Sequence, residues 1–464
     1  MIVDLLAGNQ KKRWFFIHIM IGLFCILFSQ AIIIWFYLFF ISSINKIVSD
    51  YILRDSTKYI IPLVIYLSSF EVFGRMLGAG PFIPWELSKY LFLLTFIFYF
   101  LILKIKLKSY IGLFLLFILI PGSLIDISNK VTFELLVFNL LGPISISMLI
   151  MLLNKSRIKE NDFSSYLRLI WYSSLSMLVY VVIKTPDLSD INFSLDANFQ
   201  TSAGFGSNQV STVIGIGMFL SFYAWMNKIL FSGWHRIDGL SIALFAYQGF
   251  LTFSRGGMVI AFICMLIYYF LLINSENYVQ FIFQREIKPI RFFGLSLLFV
   301  ISAYLIINFI SEGNITYRYL GETSTTLSGE KIKTFDTVTT GRYEIVKSDL
   351  GLWLNNFIFG TGVGSSKFLR DGGQAGIASH TEFSRLLSEH GLFGLVFIFL
   401  LIYIFMKKYF QNRNTVENAL MTVLFLIGIG TMLHSGVRTF VSPLFIALST
   451  MIVVDKSKNT IKEG

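Results

Sequence analysis

The chain has 464 residues, 55% of them hydrophobic and only 14% charged, with 49 phenylalanines and a formal net charge of +11. No water-soluble domain of this size carries so much apolar surface, so the composition excludes an ordinary globular enzyme and points to a polytopic membrane protein built from spanning helices. The positive charge does not imply a nucleic-acid partner, because the lysines and arginines sit in short clusters between apolar runs, where membrane topology accounts for them.

Apolar runs predict helices over about residues 14–48, 59–78, 86–104, 110–126, 131–153, 165–184, 207–227, 237–253, 256–274, 291–310, 391–408, 418–435 and 438–454. The first run is too long for one span and divides near Ser29 and Gln30, which gives an all-α bundle of about 12–14 transmembrane helices. The KKR cluster at 11–13 precedes this run without a small-residue cleavage site, so a retained first helix is expected and not a signal peptide. Cys25 and Cys264 lie inside apolar runs, where neither a disulfide nor a metal site is indicated.

If the helices alternate, one face receives every basic cluster: Lys104, Lys106 and Lys108; Lys155, Arg157 and Lys159; Lys228 and Arg236; Arg285, Lys288 and Arg291; Lys407, Lys408 and Arg413; Lys456, Lys458 and Lys462. That face is read as cytoplasmic, and an even number of crossings puts both chain ends there. The opposite face carries two longer connections, 185–206 and 311–390, the second holding nine of the 27 acidic residues and eight basic ones. The chain therefore divides into membrane helices over 1–310, a soluble loop with short helices over 311–390, and C-terminal membrane helices with a tail over 391–464. Within the loop, GRYEIVKSDLGLWLNN (341–356) sets Ile345, Leu352 and Trp353 against Glu344, Lys347 and Asp349, the pattern of an amphipathic helix lying along the membrane surface.

The residues that could carry chemistry gather on this loop-bearing face. Arg255, in TFSRGGMV (252–259), is either a snorkelling interfacial arginine or a phosphate clamp, since guanidinium offers phosphate a bidentate fork. Arg342 opens the predicted loop helix, where unpaired N–H groups favour an anion. Arg75 is expected to pair with Glu71 at i,i+4 or to join the same anion site, and Arg438 lies in HSGVR between the last two helices. In SHTEFSRLLSEHGLFGL (379–395), Ser379 and Glu382 fit a capping box that would start a helix at His380 and end it at Gly391, with Arg385 paired to Glu389. His380 is then either an interfacial polar residue or a general base, and Glu382 is first a cap and second a partner to that base. His390 and His434 are further imidazoles on the same face. Asn208, in FGSNQV, either caps a helix or binds a sugar hydroxyl, and Ser207 is the other candidate cap. No HExxH-like spacing or carboxylate pair suggests a metal. FGTGVGSSKF (359–368) has the glycines of a nucleotide loop, but no strand precedes it and Lys367 is misplaced.

Taken in order, SRGG (254–257), GRYEI with NNFIFGTGVG (341–345 and 355–364), and SHTEFSRLLSEHGLFGL resemble the O-antigen ligase and Wzy-type polysaccharide polymerase superfamily, most specifically in the spacing from His380 to Gly391-Leu-Phe-Gly394. The resemblance implies a metal-independent, inverting glycosyl transfer without cofactor, on the periplasmic face of the bacterial inner membrane. The donor would be an undecaprenyl-diphosphate-linked glycan and the acceptor a second glycan or lipid A-core, with a chain-length regulator as a further partner. By matching position, Arg255 and Arg342 would bind the diphosphate and His380 would activate the acceptor hydroxyl, with Glu382 beside it. Arg75, Asn208, Arg385, His434 and Arg438 complete the expected substrate site. Thr381 and Val259 depart from the ligase pattern, which favours a polymerase joining repeat units over a ligase. A lipid-linked glycan flippase is the alternative of another class, disfavoured because the charge is concentrated in one outer loop.

Overall fold

A computed structural model describes residues 1–52, 59–102, 109–125, 127, 129–285, 288–370, 375–411 and 415–454, and these are mostly helical with almost no sheet. Of the expected basic clusters, Lys104, Lys106, Lys108, Arg413, Lys456, Lys458 and Lys462 lie outside the described residues. The long first run is two helices, α1 (Lys11–Leu27) and α2 (Ala31–Ile52), separated at Phe28, whose backbone is extended (φ −147°, ψ 97°), and the polar pair Ser29-Gln30. Then follow α3 (Ile60–Ser69), α4 (Glu71–Met76), α5 (Leu87–Ile97), α6 (Tyr110–Ile118), α7 (Phe133–Leu153), α8 (Glu160–Lys184), α9 (Ser207–Met226), α10 (His235–Leu251), α11 (Arg255–Ile273) and α12 (Pro289–Ile310). The long loop contributes α13 (Asn314–Leu320) and α14 (Arg342–Asn355), and the chain closes with α15 (Glu382–Gln411), α16 (Val416–His434) and α17 (Val441–Ser449).

Among the described residues, eight of the helices are long and apolar enough to cross a membrane, and this multi-pass, all-α bundle is the architecture the composition implies. The central helix is α9, with 94% of its span buried, whereas α12 is only 22% buried. On α12 the exposed Leu298, Ile301, Leu305 and Phe309 recur at three and four residues, a stripe suited to lipid tails. A short parallel pairing of Arg157–Lys159 with Ile452–Val454 joins the connection before α8 to the segment after α17, in keeping with the expectation that both lie on one face.

The loop helix differs from expectation. Instead of lying along the surface on an apolar face, α14 packs on the start of α15 through Ile345 and a fully buried Asp349. Ile345 and Asp349, four residues apart, share the docked face, and Asp349 finds its polar partners there.

Helix α15 is broken at Gly391, whose backbone (φ 60°, ψ −133°) only glycine adopts readily. The loop before it supplies what the break leaves unpaired. The amides of Thr361 and Gly362 donate to the carbonyls of Ser388 and Glu389 at 2.8 and 3.1 Å, and the amide of Leu392 donates to Ile358 at 3.0 Å. FGTGVG is thus a cap for a broken helix. Gly360 and Gly391 make the crossing, since a Cβ on Gly391 would lie 2.5 Å from the Gly360 nitrogen and the Ile358 oxygen. Gly391→Ala is expected to cost at least about 1–3 kcal/mol, read as a lower melting temperature in detergent.

Candidate active site

The turn between α10 and α11 carries Phe253 at φ 53° and an extended Ser254, so that Arg255 becomes the first residue of α11 at the loop-bearing face. Ser254 donates to the Asn208 side-chain oxygen at 2.8 Å and accepts from Ser211 at 2.8 Å, which pins the turn to α9. Neither Ser207 nor Asn208 caps α9, contrary to expectation: the N-cap position falls on Gly206, Ser207 donates to the Asn198 carbonyl, and Asn208 is taken by Ser254. The Arg255 guanidinium reaches across to the carbonyls of Arg318 at 3.1 Å and Val338 at 2.7 Å, so it ties the membrane helix to the loop.

Arg318, on α13, was not singled out from the sequence, where it is one arginine among eight basic loop residues. Its Nε points to the Phe253 carbonyl at 3.5 Å, within the same turn. Arg342 opens α14 from a Gly341 N-cap at φ 78°. Among the described residues no protein acceptor meets its guanidinium, and Arg255, Arg318, Arg342 and Arg438 all lack an ion pair. The strain of this arrangement is visible in their proton affinities. Burial and then Arg255 lower Arg318 to about 10 against an opposing pull from Asp196, with a lesser lowering from Arg342. Arg342 is lowered by burial, then by Arg255 and Arg438. Cations held together in partial burial without a close ion pair form a site prepared for an anion.

His380 stands at the edge of this cluster. Burial, followed by the fields of Arg438, Arg342, His434 and Arg370, lowers its imidazole to about 4, so it is neutral near pH 7. Among the described residues none bonds its ring nitrogens. Its backbone is held firmly, however: Arg438 donates to the Ser379 carbonyl at 2.9 Å, and Ser379 and Ser384 reach Asp349 at 3.3 and 2.7 Å. Asp349 also pairs with Arg370 at 2.7 Å, with both side chains fully buried. Asp349 is seven residues beyond Arg342, so both face the same side of α14; that spacing was readable, but its significance depends on contacts that only the fold creates.

Several expected roles are corrected by the contacts. The capping box does not form: α15 starts at Glu382, two residues later than expected, and the Glu382 carboxylate turns inward to the Arg385 guanidinium and to the Val437 amide at 3.2 Å. Arg385 pairs with Glu382 and not with Glu389, because the nitrogen that meets Glu382 also donates to the Asn139 carbonyl on α7 and its neighbour donates to the Asn139 side chain. Glu389 accepts instead from Ser366 at 2.8 Å. Arg75 does pair with Glu71, and its remaining donors go to Trp85, Gln209, the Arg438 carbonyl and, at 3.6 Å, the Glu86 carboxylate, so it supports Arg438 and has no hydrogen free for a ligand. His434 is bonded through both nitrogens, to Gly430 and Thr212 at 3.0 and 3.1 Å, which likewise leaves it no free position.

The free groups are therefore Arg342 and His380, braced by Arg255, Arg318 and Arg438. A family model described as O-antigen ligase matches residues 240–399, from within α10 to the middle of α15, and so contains Arg255, Arg318, Arg342 and His380. No curated protein matches the chain.

The inward position of Glu382 separates structure from chemistry. Glu382→Ala would leave the Arg385 charge without its counter-ion and the Val437 amide without an acceptor, at a cost of about 3–5 kcal/mol. Glu382→Gln, which keeps the amide's acceptor, should lose less. Thermal melting of the two variants in detergent checks this order.

Proposed function

Because the chain belongs, through its 240–399 segment, to the O-antigen ligase and Wzy-type superfamily, we propose that this membrane enzyme transfers a glycan from an undecaprenyl diphosphate carrier to an acceptor hydroxyl. It would do so on the periplasmic face of a bacterial inner membrane, joining repeat units of a surface polysaccharide. The observation that carries the reading is the set of guanidinium groups, Arg255, Arg318, Arg342 and Arg438, assembled without ion pairs beside an unbonded imidazole. A lipid diphosphate is the anion that fits such a site at a bilayer edge, with its polyprenyl tail left in lipid.

In this reaction the acceptor oxygen attacks the donor's anomeric carbon from the side opposite the diphosphate. The new carbon–oxygen bond forms as the bond to the diphosphate breaks, and the configuration inverts. The leaving diphosphate takes the bonding electron pair, and the hydroxyl proton passes to His380. Arg342, with free donors, would meet the developing charge, while Arg255 and Arg318 sustain the positive field. His380 suits the role of base because the same arginines keep it unprotonated before the donor arrives. Once the diphosphate has offset part of their field, the imidazole holds a proton more readily, at the moment the acceptor gives one up.

Thr381 and Val259 favour a polymerase over a ligase that uses lipid A-core, and the product distinguishes them. Purified protein given only one lipid-linked repeat unit should yield a ladder; a product that appears only on adding lipid A-core would reassign it as a ligase. In a matching deletion strain, Arg342→Ala and His380→Ala should each lower polymer formation by about a hundredfold or more. Full-length polysaccharide from either variant would sink the proposed roles.

The pH dependence follows from the sign of the His380 shift. An imidazole lowered to about 4 stays competent as a base well below its ordinary 6.5. The acid limb of kcat/KM should therefore fall near pH 4, and Arg342→Ala, by removing a neighbouring positive charge, should move it upward in the residual activity.

A further inference from the structure

Beside the guanidinium cluster lies a cleft of about 640 Å³, counted to its open mouth, bounded by α5, α7, the loop after Gly364 and the start of α15. It shares Ser379 and Arg438 with the cluster, but Arg255, Arg318 and Arg342 do not line it. Its enclosed part amounts to about 100 Å³, and the rest opens to the surface. From this geometry, and resting on the function proposed above, we infer that the cleft seats the acceptor sugar and delivers its hydroxyl to His380.

The lining has the chemistry of a site for a hydroxyl-rich ring. The carboxylates of Glu382 and Glu389 are only 3% and 2% exposed, and each is fixed by protein donors while keeping lone pairs for further hydroxyls. Arg385 and Asn139 are locked to each other at the same wall, so the polar groups are held in direction before any ligand enters. Phe138, 43% exposed, offers a ring on which the apolar face of a pyranose can rest. Lys367 contributes an ammonium without an ion pair among the described residues, the group an acidic sugar would meet.

Position gives the stronger argument. A transfer between two glycans needs two carbohydrate sites that meet at the base. The arginine cluster answers to the donor's diphosphate and is the wrong surface for a neutral sugar. The cleft borders the residue before His380, and Arg438 stands between the two regions, bonded to Ser379 and exerting its field on His380. A sugar entering the cleft arrives from outside the arginine cluster, as inversion requires.

The test uses purified full-length protein in nanodiscs with two probes: undecaprenyl diphosphate, whose binding is followed by native mass spectrometry, and a repeat-unit oligosaccharide released from the host's lipid-linked glycan, titrated as acceptor. Phe138→Ala and Lys367→Ala, both on accessible residues, should raise the half-saturating acceptor concentration about tenfold, with undecaprenyl diphosphate affinity unchanged. Glu389→Gln should do the same if it melts like the parent protein. Wild-type acceptor saturation in both accessible variants would overturn the assignment. So would a parallel loss of undecaprenyl diphosphate affinity, which would make the cleft part of the donor site. Arg342→Ala, measured alongside, should lose undecaprenyl diphosphate; if it does not, the donor reading fails first and takes the acceptor site with it.

Discussion

Four guanidinium groups held together in partial burial repel one another, and the loop-bearing face is organised to contain that repulsion. Backbone supplies most of the restraint. Arg255 is tied to the Arg318 and Val338 carbonyls, Arg318 to Phe253, and Arg438 to Ser379, while the Arg438 carbonyl is gripped by Arg75. Carbonyl dipoles orient a cation without cancelling its charge, whereas a carboxylate would neutralise it. Three carboxylates nearby are committed elsewhere: Glu71 to Arg75, Glu382 to Arg385, and Asp349 to Arg370. This separation of paired and unpaired charge lets the site remain positive.

The break in α15 serves the same end. A continuous helix from Glu382 to Gln411 would carry the His380-bearing segment straight out of the bundle. Gly391 turns it, and the amides of Thr361 and Gly362 satisfy the carbonyls the turn exposes. The glycine-rich stretch that resembled a nucleotide loop is therefore needed to hold the SHTEFSRLLSEH segment against α14.

Much of this was legible in the sequence where one physical rule acted alone. Hydrocarbon thickness requires the first apolar run to divide, and it does so at the polar pair Ser29-Gln30. Arg255 and Arg342 stood out because arginine at a membrane edge is costly without a purpose. The failures occur where two local patterns were equally permissible and a distant residue chose between them. On a helix Arg385 can reach either Glu382 or Glu389, and Asn139, 246 positions away, decides. The spacing of Ser379 and Glu382 satisfies a capping box, yet the Val437 amide claims the carboxylate. Arg318 and Asp349 have no distinguishing neighbours in the sequence and gain their importance only from what folds against them.

Helix α14 carries Arg342 at its first turn and Asp349 two turns on, and through Asp349 it grips both Ser379 and Ser384 on either side of His380. A helix of this length moves as a rod. If Arg342 advances on a phosphate, the rod carries Asp349 with it, and the imidazole segment must follow. In the proposed reaction, charge recognition and base placement would then share one mechanical coordinate, so an empty donor site would hold its base out of register.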